Sequence, residues 1–213
     1  MKILIFISLF ITSPFAMAGN TSEQPKIENI VSAISLDMDS DNLLDLAYLA
    51  NSENPSQENL TLWVKLSTQD TYYKVENLAN DMNGGMFGMG TILKVNDLDS
   101  IQVNSMNDSV GRGRWDETIT FAYRNDRFVF AGYTYFQRDT LDLSFSTCDV
   151  NVLSKKGIYE SSVYQENNQE KAKIVKFDVL TKDVLSLERL SAESLSDTYL
   201  MKYCYSFDVH EQE

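Results

Sequence analysis

Trp115-Asp116-Glu117-Thr118-Ile119-Thr120-Phe121-Ala122-Tyr123-Arg124, then Asn125-Asp126, then Arg127-Phe128-Val129-Phe130-Ala131-Gly132-Tyr133-Thr134-Tyr135, is the stretch that decides the fold. In its first arm Trp115, Glu117, Ile119, Phe121 and Tyr123 recur at every second position, the period of a strand with two distinct faces. Asn125-Asp126 supplies the turn, and the return arm is dense in Phe and Tyr. Aromatic and β-branched residues facing one another across two strands hold such a ribbon together.

The same signature repeats on both sides of the hairpin. Upstream, Leu60, Leu62, Val64 and Leu66 alternate with Thr61, Trp63, Lys65 and Ser67, which predicts a strand over Leu60 to Thr68. Shorter strands are expected over Ile30 to Leu36, Leu44 to Tyr48, Tyr72 to Glu76, Thr91 to Val95 and Ser100 to Asn104, the last two joined by Asn96-Asp97-Leu98-Asp99. The apolar residues Ile27, Ile30, Val31 and Ile34 also fit a short helical turn. Downstream, strands are expected over Leu141 to Thr147, Asp149 to Leu153, Ile158 to Gln165, Lys173 to Leu180 and Tyr199 to Val209. Ser186 to Leu195 is the best helix candidate. Many short strands separated by turns, with one or two short helices, predict a mainly β fold: an antiparallel meander, a sandwich or a partial barrel.

The chain begins with the pattern of an export signal. Met1-Lys2 is followed by an apolar run from Ile3 to Ile11, and Ala16-Met17-Ala18 matches a small-x-small cleavage site. Residues 1–18 are read as a signal peptide cleaved after Ala18, and 19–213 as a single β-rich domain, periplasmic or secreted. The apolar run is too short to span a bilayer, and no later run approaches ~20 residues, so no transmembrane segment is expected. In an oxidising compartment the two cysteines, Cys148 and Cys204, are expected to form a disulfide. The formal net charge of −13 opposes nucleic acid and anionic membrane as partners and suits a cation or a basic protein.

One stretch carries a recognisable chemistry: Asp37-Met38-Asp39-Ser40-Asp41-Asn42-Leu43-Leu44-Asp45. Counted from Asp37, carboxylates fall at positions one, three, five and nine, and Leu43 at position seven offers a backbone carbonyl. A hard divalent cation wants six to eight oxygens, and alternate Asp side chains in a tight loop supply them. Asn42 stands where such loops use Gly, and Asn tolerates the left-handed conformation best after Gly. Position twelve is Tyr48 rather than the bidentate Glu of an EF-hand, which argues against a calcium sensor. Asp37, Asp39, Asp41, Leu43 and Asp45 are thus the expected ligands of one structural calcium.

Leu36 to Ala47 resembles the D-x-D-x-D-G-x-x-D-L stretch of FG-GAP or VCBS-type repeats, in which calcium sits in a loop leading into a strand. The likeness covers about a dozen residues and occurs once, so it does not imply the multi-repeat propeller of those families. Gly113-Arg114-Trp115 together with the Phe121–Tyr133 hairpin is similar to a group of exported bacterial proteins that join an Asp-rich loop to such a hairpin. That likeness implies an architecture and names no activity.

The remaining motifs are weaker. Asn83 to Gly90 lacks the Lys-Ser/Thr ending of a phosphate loop and is expected to pack Met86, Phe87 and Met89 onto the core. Arg112, Arg114 and Trp115, near Asp116 and Glu117, form a candidate surface for an anionic or sugar ligand, or an ordinary strand entry. The single histidine, His210, lies near the C-terminus, and no Ser-His, Cys-His or zinc constellation is present. The expectation is an exported, non-enzymatic domain that binds a protein or cell-envelope component, as an immunity or inhibitor protein would. The alternative is a calcium-assisted hydrolase of the envelope.

Overall fold

The computed structural model describes residues 19–52, 59–83, 86–164, 170–179 and 203–204. Twelve strands are formed in these stretches: β1 (Gly19–Thr21), β2 (Ile30–Leu36), β3 (Asp45–Asn51), β4 (Asn59–Lys65), β5 (Tyr72–Asn80), β6 (Met89–Val95), β7 (Ile101–Asn107), β8 (Gly113–Arg124), β9 (Arg127–Asp139), β10 (Phe145–Asn151), β11 (Lys156–Tyr164) and β12 (Glu170–Asp178). The helical structure among the described residues amounts to a 3-10 turn, Ile27–Asn29, and residues 203–204. The Ser186–Leu195 helix, the Tyr199–Val209 strand and His210 lie wholly or largely outside the described residues.

The strands form two antiparallel sheets. The smaller has the order β1-β5-β4-β3-β2 and the larger β12-β11-β10-β9-β8-β7-β6. Apart from β1 and the step from β5 to β6, where the chain passes between sheets, consecutive strands pair, as expected of a meander. Leu49, Leu60, Leu62, Val64 and Val75 of the smaller sheet share one core with Ile101, Val103, Phe121, Phe130 and Val150 of the larger. Edge strands β2 and β6 lie side by side, and there the Leu93 amide donates to Ser32 Oγ at 3.0 Å.

The β8–β9 hairpin has the predicted register around its tip, with Tyr123 opposite Phe128 and Arg124 opposite Arg127. Asn125 and Asp126 both have positive φ, 52° and 59°, as the two-residue turn best matched to strand twist requires. A bulge at Thr120/Phe121 then shifts the pairing so that Ile119 faces Tyr133.

Cys148 and Cys204 are disulfide-bonded and buried, with Cα atoms 5.6 Å apart. The bridge ties residues 203–204 to the inner face of β10. Beside it the Tyr203 ring stacks on Phe177 at 5.5 Å, nearly parallel. Phe177 in turn lies over Gly157, where an added Cβ would come within 2.2 Å of its ring, so any larger residue would have to displace that ring.

Two expectations fail. The pattern predicts separate strands over 141–147 and 149–153, but the chain forms a single strand, β10, from Phe145 to Asn151. Asp139 and Asp142 win over the apolar alternation there. Asp139 Oδ1 accepts the Leu141 and Asp142 amides, Asp142 Oδ1 accepts the Ser144 amide, and Arg112 pairs with both carboxylates. The resulting loop leaves Leu141 and Leu143 exposed. Met86 and Phe87, expected against the core, are also exposed. The Met89 amide closes a turn onto the Met86 carbonyl, Gly88 takes φ of 87°, and both side chains project outward before β6 begins.

Candidate metal site

The Asp stretch connects β2 to β3, and it is anchored from beneath. Met38 is buried in the shared core, so the residue between Asp37 and Asp39 acts as a hydrophobic peg. Asp45, the first residue of β3, has no exposed surface. A buried carboxylate must be fully hydrogen-bonded to be tolerated. Asp45 meets that condition with two backbone donors: Met38 N to Oδ2 and Ser67 N to Oδ1, each 2.8 Å. One side chain therefore joins the end of β2, the start of β3 and the segment after β4.

The rest of the loop is built from carboxylates accepting main-chain amides. Asp37 receives Asp41 N at 3.1 Å and Asn42 N at 3.0 Å. Asp39 receives Asp41 N at 3.3 Å. Asp41 receives Leu43 N at 2.7 Å, and its other oxygen accepts Ser67 Oγ at 3.4 Å. Two left-handed residues make the curvature, Asn42 (φ 68°), as the sequence indicates, and Ser40 (φ 65°), which it does not.

Ligand atoms of Asp37, Asp39 and Asp45 all lie within 4.8 Å of one another. Two oxygens on one calcium, at 2.3–2.6 Å each, can be at most about 5 Å apart, so the three are close enough to share an ion. An all-oxygen, all-carboxylate donor set suits a hard cation rather than zinc or copper. Electrostatics agree. Burial raises the Asp39 carboxyl above its ordinary range, the charges of Asp45, Asp41 and Asp37 add to this, and the hydrogen bond from the Asp41 amide offsets only part. Asp41 stands outside the triad, engaged with Leu43 and Ser67, and the Leu43 side chain is exposed.

Three aromatic rings pack in series at the hairpin tip. Tyr73, Phe128 and Tyr123 make successive edge-to-face contacts, with ring centroids 5.0 Å apart in each case. Burial raises the Tyr123 hydroxyl's pKa, with smaller contributions from Tyr73, Asp126, Asp39 and Asp45, so this ring lies within the field of the acidic loop. Sequence reasoning missed Met38 and Ser67 as parts of the site. Only Met38 left a signal, as an apolar residue inside an otherwise polar loop.

Arg112, Arg114 and Trp115 lie at the far end of β8. Arg112 is paired with Asp139 and Asp142, and the side-chain bonds of Asp139 and Asp142 hold both carboxyls below their usual range. Arg114 donates to the Gly111 carbonyl at 2.7 Å. Trp115 and Arg114 line a hollow of about 360 Å³ across the ends of β8 to β11. A larger cavity, about 570 Å³, lies between residues 23–29 and the outer face of the smaller sheet. Its charges are mutually engaged: Lys74 pairs with Glu23 and Glu76 and sits 4.6 Å from the centre of the Trp63 ring. No family model, no curated protein and no solved structure matches this chain.

Proposed function

We propose that the chain is an exported, non-enzymatic β-domain, periplasmic or secreted, in which one structural calcium clips the Asp37–Asp45 loop. On this reading the domain binds a protein or cell-envelope component, in the manner of an immunity or inhibitor protein. The observation that carries the calcium reading is the triad Asp37, Asp39 and Asp45, with ligand atoms within 4.8 Å at the junction of three strand ends. Without a cation the loop concentrates like charge; with one, that repulsion becomes attraction. The position of Asp45, wholly buried and bonded to two main-chain amides, favours a structural ion over an exchangeable catalytic one.

The binding reading is supported by where the carboxylates lie. Among the described residues the one grouping of three or more metal-ligating side chains is at this loop, and the acids of the larger cavity are bound to Lys74. A hydrolase would need free paired carboxyls in a cleft. Calorimetric titration of calcium into chelator-treated protein tests the ion: one site per chain, absent in Asp39→Ala, is expected. Equal heats for the two proteins would end the proposal. A pull-down from envelope extract in calcium buffer tests the partner, and recovery of nothing counts against it.

A further inference from the structure

The inner face of the larger sheet changes character along its length. One row of directly paired residues runs Val103, Ile119, Tyr133 and Val150, and it is buried in the core. The next row runs Ser105, Glu117, Tyr135, Cys148 and Tyr159. Here the Tyr133 hydroxyl donates to Glu117 Oε1 at 2.6 Å, a polar contact that marks the edge of the dry interior. The row after that runs from Asn107 through Trp115, Gln137, Ser146 and Ser161 to Lys173, the middle four facing a hollow. Directly paired residues share a face, so these four side chains stand together on the side that carries the core.

All four line the 360 Å³ hollow, whose size falls within the ~300–1,000 Å³ range of small-ligand sites. Ser146 is 8% exposed, and no side-chain hydrogen bond to it, to Gln137 or to Ser161 occurs among the described residues. The Trp115 indole likewise has no ring or hydrogen-bond partner among them. Among the described residues the fully buried side-chain oxygen without a partner is Ser109 Oγ, outside this hollow, so the polar groups here are open to a ligand or to water. Two of the charged groups at the rim are ion-paired, Arg138 with Asp108 at 2.5 Å and Asp139 with Arg112, while Arg114 donates to the neutral Gly111 carbonyl. What remains available is an apolar indole beside one amide and two hydroxyls, with the Arg114 charge at the rim.

We propose that this hollow is a binding site for a neutral, hydroxyl-rich ligand, a pyranose unit of a saccharide, seated against Trp115 and hydrogen-bonded by Gln137, Ser146 and Ser161. A sugar ring presents both requirements at once, an apolar C–H face for the indole and a rim of donors and acceptors for the amide and hydroxyls. The site lies at the opposite end of β8 from the acidic loop: Trp115 is about 26 Å from Tyr123 at ~3.3 Å per residue. The proposal deepens the reading of the chain as a binding domain and rests on it, but does not depend on the calcium.

Trp63→Phe leaves Trp115 as the single tryptophan of the full mature chain, so its fluorescence reports the hollow. The probes are maltotetraose and the β-1,4-linked tetramer of N-acetylglucosamine, each in calcium and in chelator. A saturable shift in at least one titration is expected. Isothermal titration should then show Trp115→Ala weakening binding about tenfold or more, and Gln137→Ala and Ser146→Val each about three- to tenfold. Unchanged melting temperatures verify that the variants are folded, and Gln137→Ala stands in if Trp115→Ala does not fold. No shift up to about 20 mM of either saccharide overturns the proposal, as does binding that survives all three substitutions. Tighter binding of inorganic phosphate or a sulfated saccharide overturns the neutral class. Recovery of a protein partner indifferent to Trp115→Ala, with no saccharide bound, removes this site and leaves the binding-domain reading intact.

Discussion

The two ends of the β8–β9 hairpin invite comparison. Toward the tip, where its charge reaches Tyr123, lies a loop of four carboxylates, each accepting at least one amide, and the buried Asp45 binds strand ends together. At the base, Trp115 and Gln137 stand in a hollow where amide and hydroxyl groups have nothing to bind among the described residues. One end is acidic and closed on itself; the other presents an indole, an amide and two hydroxyls and is open. Polar groups bonded within the chain fix structure, whereas those left to solvent are open to a ligand. The contrast separates what holds this domain together from what it offers to another molecule.

The comparison can be broken at either end. The largest effect is expected from the disulfide, which lies beneath the open end. Closing a loop with a sequence separation of 56 is worth about 4 kcal/mol in the chain-entropy model. The Cys148→Ala/Cys204→Ala double variant should therefore lose nearly that much in urea unfolding while keeping its calcium-dependent increment, because the two sites are far apart. Loss of the increment as well would mean that the ends are coupled. Next is Asp45→Ala at the closed end. It strands the Met38 and Ser67 amides and should cost about 2–4 kcal/mol, read as a lower denaturant midpoint. A cost within error of zero would refute the bracing role.

The smallest effect concerns Glu117 at the boundary between core and hollow. Burial raises its carboxyl above the ordinary range, the Tyr133 hydrogen bond offsets part of this, and Asp116 adds to the rise. A group with a raised folded pKa contributes its full stability below the unfolded value and loses it as pH climbs through the folded value. Glu117→Gln removes the cost of ionisation and keeps an acceptor for Tyr133. It should stabilise the protein at pH 8 and do least at pH 4. Thermal melts across that range check it, and a pH-independent difference would contradict the assignment.

Much of this was legible in the residues. Period-two alternation placed the Leu60–Leu66 face in the core, and Asn125-Asp126 set the hairpin tip, because both signals are local. The Leu141–Thr147 strand was misread because Leu141, Leu143 and Phe145 alternate correctly, while the carboxylates of Asp139 and Asp142 recruit the backbone into a loop clamped by distant Arg112. At the acidic loop the spacing of the carboxylates was visible. The seat was not: Ser67 joins Asp45 across 22 residues through a main-chain amide, which any residue but proline would supply. The hollow was half visible in Trp115. Gln137, Ser146 and Ser161 became its neighbours through strand register alone, which no short motif records.

The central claim is that a cation completes the closed end. Thermal unfolding of the mature chain and of Asp39→Ala, each in millimolar calcium and in chelator, tests it most directly. At a hundredfold excess over Kd, binding to the folded state alone adds about 2.7 kcal/mol, or roughly 5–10 °C for a domain of this size. The wild type should rise by that amount in calcium, and Asp39→Ala should melt at the same temperature with and without it. A wild-type melting temperature indifferent to calcium would contradict the account.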